Sequence, residues 1–228
     1  MANTARINGF SPVSYLNGAP YNGQCRLYAI PTADTTASYA IGDPVRSLGG
    51  SDANGIPYVI KIPAAEASSF VALGVVVGIR VADPGLSLVG TSLSLENLYL
   101  PSGTRTAVRY VYVADDPQTV FEVSLGSAGA TLANLARKNF GIASYYSGAD
   151  QTYAIDQSTY LAPYAPMSNI VIANVNTTNT LPVQGLGLSQ IPNNTATTTA
   201  ADAAYAKVLV RFNNHEFGVA TGTNRTGA

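Results

Sequence analysis

Residues 119–125 read TVFEVSL and residues 206–212 read AKVLVRF. In the first stretch Phe121, Val123 and Leu125 point one way and Glu122 the other. In the second, Val208, Val210 and Phe212 stand opposite Lys207 and Arg211. A strand sends successive side chains to opposite faces, so this period of two predicts pleated strands with a dry face and a mostly wet one. Residues 56–62, IPYVIKI, follow the same rule, with Tyr58, Ile60 and Ile62 expected on the dry face and Val59 and Lys61 on the other.

Phe70–Val81 (FVALGVVVGIRV) is apolar on both faces. That suits a central strand covered twice, with Gly74 and Gly78 at bulges or close approaches. Thr104–Ala114 is β-branched and aromatic and runs into Asp115-Asp116-Pro117, turn-forming residues that predict a hairpin loop into the 119–125 strand. Gly42-Asp43-Pro44-Val45 reads as another strand entrance, and Leu181–Ser189 as a short strand. A single stretch, 130–140 (ATLANLARKNF), has helical spacing. Leu132, Leu135, Ala136 and Phe140 share a face there, Arg137 and Lys138 fall in the last turn and Gly141 follows. Met1–Gln24 carries little regular signal and is expected to be an extended arm. The polar run 174–204 is expected to be loops around the short strand. The expected fold is all-β, a sandwich or barrel-like domain over 26–228 with one short helix, behind an arm over 1–25.

Composition narrows the function. Charged residues make up 11% of the 228, against about 25% in an ordinary soluble domain. Thr (21), Ser (18) and Asn (17) supply a wet but weakly charged surface. A net charge of -1 with three lysines leaves no electrostatic footprint for nucleic acid. The longest apolar run is about half of what a membrane helix needs. The first ten residues lack the apolar core of a signal peptide. One cysteine, Cys25, forms no internal disulfide framework and suits a reducing cytosol.

Catalytic chemistry finds little support. His215 is the one histidine and is read as a partly exposed residue at a strand end. With Cys25 it makes a nucleophile–base pair only on paper. One His and one Cys do not fill a zinc site. Asp115 and Asp116 read as turn formers, with calcium at the loop as the residual alternative. No catalytic, metal or cofactor residues are assigned. Tyrosine stands out, with 14 against no Trp. Several lie outside the alternating strands: Tyr15, Tyr21, Tyr28, Tyr145, Tyr146, Tyr153, Tyr160 and Tyr164. Tyr is apolar in body and polar at the tip, the character that interfaces favour.

Taken in order, Gly9-Phe10, Pro12-Val13, Tyr15, Asn17-Gly18, Tyr21, Asn22-Gly23-Gln24, Tyr28 and Gly42-Asp43-Pro44-Val45 resemble the opening of the capsid cement, or decoration, proteins of tailed bacteriophages. Leu73–Gly78, Val113–Pro117 with Phe121-Glu122, and Val208–His215 continue the likeness in the same order. The segment 145–179 departs from the family pattern and reads as a local Tyr/Thr/Asn-rich elaboration. The resemblance implies a non-enzymatic virion protein, made in the bacterial host cytoplasm and bound outside the capsid. Its partners would be the major capsid protein and further copies of itself, as a homo-oligomer and typically a trimer. An arm could add a strand to a neighbour's sheet or lie across a seam, and Phe10, Pro12, Tyr15 and Tyr21 are its expected contacts, with Arg6 facing a capsid carboxylate. A head fibre or tail component, and a carbohydrate-binding module using Tyr145–Tyr164, are the alternatives.

Overall fold

The computed structural model describes residues 3, 8–62, 70–80, 99–100, 102–126, 131, 133, 135, 137–144, 170–176, 181–196 and 203–218. They are all-β, in two main sheets. Strands β2 (Arg26–Ile30), β4 (Pro44–Ser51), β5 (Pro57–Lys61), β6 (Gly74–Arg80) and β8 (Arg109–Ala114) close a five-stranded barrel in the order β2-β5-β4-β6-β8. The second sheet runs β1-β9-β13-β12-β10-β11, built from β1 (Ser11–Tyr15), β9 (Thr119–Ser124), β10 (Asn139–Ser144), β11 (Ile170–Asn176), β12 (Val183–Leu188) and β13 (Lys207–Phe212). It curls until Leu125, just past β9, meets Ile172 of β11 in a parallel bridge, with the Gly126 N–H 3.0 Å from the Ile172 carbonyl. A two-stranded ribbon, β3 (Tyr39–Ala40) with β7 (Tyr99–Leu100), completes the described elements.

The alternation in 119–125 and 206–212 gives the expected dry face, but the opposite face is less wet than expected, since Thr119, Ser124 and Lys207 are buried as well. Phe121, Val123, Leu125, Val208, Val210 and Phe212 are all buried in one cluster. In β5 the faces are reversed. Val59 and Lys61 point into the barrel, and Tyr58 and Ile60 are only half-buried. The Lys61 ammonium is tolerated inside because Asp43 Oδ2 lies 2.8 Å away, with both side chains almost fully enclosed. A charge taken out of water needs such a partner. Asp43 Oδ2 also accepts the Ala40 N–H at 2.8 Å, so the Gly-Asp-Pro entrance to β4 carries the counter-ion of the barrel.

Both glycines of β6 have the expected roles. A Cβ on Gly74 would stand 2.2 Å from the Ala114 carbonyl oxygen, so only glycine lets β6 and β8 approach this closely. The β6–β8 register shifts between Val76 and Gly78, a bulge.

Three further expectations need correction. The turn at 115–117 forms, with the Thr119 N–H bonded to the Asp116 carbonyl at 3.0 Å, but it closes no hairpin. β8 pairs with β2 and β6, and β9 with β1 and β13, so the turn is a corner passing the chain from barrel to sheet. The helix over 130–140 does not form in its described part: Arg137 has a left-handed φ of 58° and Asn139 already begins β10. Backbone pairing with β12 takes the bonds a helix would use, as Arg137 N–H donates to the Gly185 carbonyl (2.8 Å) and Gly185 N–H to that of Lys138 (2.9 Å). Lastly, residues 8–24 are not a detached arm. Phe10 lies in the core against Phe121 and Phe212, and β1 is a strand of the chain's own sheet.

Candidate functional site

β1 is the edge of the six-stranded sheet, and its outer flank is already occupied. The chain turns at Asn17-Gly18 and comes back beside it: Tyr15 N–H donates to the Ala19 carbonyl at 2.8 Å, and Tyr21 N–H to the Val13 carbonyl at 3.0 Å. Pro12 has no N–H to offer, and the register shifts between Pro12 and Ser14. Proline, a bulge and a covering segment are the devices that keep an edge strand from pairing with another chain. A donated arm is therefore not what this segment provides.

What it provides is a projection over 16–26. Leu16–Pro20 and Asn22–Arg26 are exposed, while Tyr15 and Tyr21 are half-buried at its base. Gly18 (φ 87°) and Gly23 (φ 85°) set its two turns, each following an Asn whose side-chain oxygen accepts a backbone N–H two residues on. The tyrosines brace it. Their rings are 5.9 Å apart. The Tyr15 hydroxyl lies 2.9 Å from Asn22 Oδ1 and 3.2 Å from Gln24 Oε1, and the Tyr21 hydroxyl donates to the Gln24 carbonyl at 2.7 Å. Burial, with the nearby Cys25, Tyr15 and Asp115, pushes the Tyr21 phenol up to about 12, so it stays a neutral donor. Val13 and Leu16 add exposed apolar surface beside the braced loop.

The projection is anchored to both sheets. Arg26 lies 3.5 Å from Asp115 and over the exposed Phe217 ring, 5.8 Å from its centroid. Tyr28 donates to Asp115 at 2.7 Å, and burial first, then that bond, raises its phenol well above the ordinary range. After β13, residues 213–218 (NNHEFG) cross back to the barrel as a strap. Ala72 exchanges backbone bonds with Asn214 and Glu216, and Glu216 accepts the Ser47 N–H at 2.7 Å and its hydroxyl at 2.5 Å.

No family model, curated protein or solved structure matches the chain.

Of the expected contact residues, Tyr15 and Tyr21 come together at the projection, and Pro12 is half-buried next to them in β1. Phe10 is enclosed by its own chain. Arg6 lies outside the described residues, as do 145–169, with their five tyrosines, and 177–179 of the elaboration at 145–179; its residues 170–176 form β11. His215 is buried rather than partly exposed. Its Nδ1 accepts the Phe217 N–H at 3.1 Å, and burial lowers the imidazole to about 4 against the pull of Asp115 and Asp116. Cys25 is exposed. Asp115 is taken by Tyr28 and Arg26, and Asp116 Oδ1 by the Gln118 N–H. Among the described residues no group of three or more His, Cys, Asp or Glu is placed to hold a metal ion, and no helix is long and apolar enough to cross a membrane. Leu16, Arg26 and Phe217 were missed in the sequence. The paired Asn-Gly steps around Tyr21 were the available signal for a built loop.

Proposed function

We propose that the chain is a non-enzymatic virion structural protein, a cement or decoration protein on the outside of a tailed-phage capsid. It ties neighbouring major capsid subunits together as a homo-oligomer, a trimer at local symmetry axes, after synthesis in the host cytoplasm. The observation that carries this reading is the braced projection. Tyrosines, asparagines and exposed apolar side chains are held there by internal hydrogen bonds, and little ordering entropy remains to be lost on contact. The ordered likeness to cement proteins and the weakly charged surface support it. The contact passes through Tyr15, Leu16, Tyr21 and the Arg26–Phe217 pair, not through a donated arm. Modest affinity per copy is enough when many copies share one lattice.

The test uses virions of the phage that encodes the chain. Gel densitometry is expected to give hundreds of copies per particle, and purified protein is expected to rebind stripped heads. Leu16→Asp and Tyr21→Ala should lower the bound fraction at least tenfold while the melting curve stays cooperative. A few copies per particle points to a fibre or tail component, and undiminished binding by both variants removes the projection from the interface.

A further inference from the structure

Beneath the same edge, three strands bring together groups that the proposed binding role does not use. Lys207 begins β13, and its side chain is buried, with Nζ 2.5 Å from Asn8 Oδ1. Asn8 Nδ2 is held by Ser11 Oγ at 3.4 Å. Ser11 lies opposite Glu122 in the β1–β9 register, and Glu122 opposite Leu209 in the β9–β13 register, two residues from Lys207 on the same face. Ser189 links the two further, its hydroxyl donating to Glu122 Oε2 at 2.5 Å and its N–H to the Lys207 carbonyl at 3.0 Å. Diagonal neighbours on one face of a sheet are within reach of long side chains.

A buried amine and a half-buried primary amide are thus in contact, with the half-buried Glu122 one diagonal register position from Lys207 on the same face of the sheet. We propose that Lys207 and Asn8 form an intramolecular isopeptide bond, with Glu122 relaying the proton. The Lys207 ammonium passes one proton to the Glu122 carboxylate, and the freed lone pair on Nζ attacks Asn8 Cγ. The new Nζ–Cγ bond forms as Cγ–Nδ2 breaks. Glu122 returns its proton to the departing Nδ2, which also takes one of the two protons left on Nζ and leaves as ammonium. The products are a secondary amide and an ammonium ion, with no oxidant, metal or cofactor required. The existing hydrogen bond supplies the approach, because it holds the amine one bond away from the carbon it attacks, and positioning of this kind is what makes an otherwise slow acyl transfer proceed. The bond would join two positions 199 residues apart, fastening the segment before β1 to β13, two strands into the sheet.

Intact-mass spectrometry of the purified full-length protein tests this directly. The expected mass is below that of the sequence by one ammonia. Trypsin should release residues 7–26 joined through an uncleaved Lys207 to residues 139–211. A mass equal to that of the sequence overturns the proposal. So does a lost ammonia that maps to an unlinked peptide, since a succinimide at an Asn-Gly step such as Asn8-Gly9 loses the same mass. Asn8→Ala, at a half-buried position, should restore the full mass in a folded protein. For the relay, Glu122→Gln should leave the chain unlinked with its melting transition retained, and Glu122→Asp should recover the linkage more slowly. Full linkage in Glu122→Gln removes Glu122 from the chemistry.

Discussion

Phe10→Ala separates a core residue from an arm residue. The Phe10 ring sits 5.3 Å from Phe212 and 6.2 Å edge-on from Phe121, and those two are 5.4 Å apart, a closed aromatic cluster under β1, β9 and β13. Truncating an enclosed phenylalanine costs about 3–5 kcal/mol through lost transfer energy and the cavity left behind. The upper half of that range is expected here, since ring pairs contribute about 0.5–1.5 kcal/mol beyond their area. For a chain of this length each kcal/mol moves the midpoint by about 2–4 °C, so Phe10→Ala should lower Tm by about 8–20 °C. Tyr15→Ala, five residues on and half-exposed, loses one ring contact and one exposed hydroxyl bond and should cost about 1 kcal/mol. Thermal unfolding followed by circular dichroism, with urea titration as a second axis, compares the two. If Phe10→Ala melts within about 2 °C of the parent, the segment does not belong to the core and the placement of β1 is wrong.

Lys61→Met should destabilise the barrel by about 3–5 kcal/mol in urea titration, because it strands the buried Asp43 carboxylate, and adding Asp43→Asn should recover part of the loss. Gly74→Ala drives a methyl group against the Ala114 carbonyl, a backbone atom that cannot rotate away. It should cost about 3 kcal/mol, whereas Gly18→Ala, which meets open space, should cost only the left-handed strain of about 1–2 kcal/mol. His215 gives a pH dependence of definite sign. Unfolded, it takes a proton from about pH 6.5 downward; folded, it resists until about 4. Its contribution is therefore intact above pH 6.5 and lost as pH falls toward 4, by about 2–3 kcal/mol. Urea midpoints measured across that window should flatten in His215→Asn, and an equal slope in the variant would refute the assignment.

The strands were legible where hydrophobic alternation and burial coincide, as in TVFEVSL and AKVLVRF. Turns were legible from Asp, Pro and Gly, which act through local hydrogen bonds and φ. What those signals do not encode is the partner. Asp115-Asp116-Pro117 specifies a change of direction equally well for a hairpin and for a corner between sheets. IPYVIKI misleads because the charge at Lys61 is neutralised by Asp43, far away in the chain, so the polar-looking face is the inner one. The spacing of Leu132, Leu135, Ala136 and Phe140 fits a helix, but Gly185 of β12 claims the backbone groups of Arg137 and Lys138. Asn-Gly steps identified the loops at Gly18 and Gly23, while the apolar neighbours Leu16 and Phe217 carry no local mark of exposure.

β6 has a position whose consequence is mechanical. Its neighbours Val75 and Val76 face different interiors, Val75 the core of the curled sheet and Val76 that of the barrel. Ile62, Phe70, Ala72 and Ala114, from the barrel side, also pack into the sheet's core. With a common wall, neither half can lose its packing while the other keeps its own, and calorimetry should record one transition rather than two. Such a body has no soft stage between intact and unfolded. Force applied at the projection is spread through both halves at once, and the molecule yields late and as a whole.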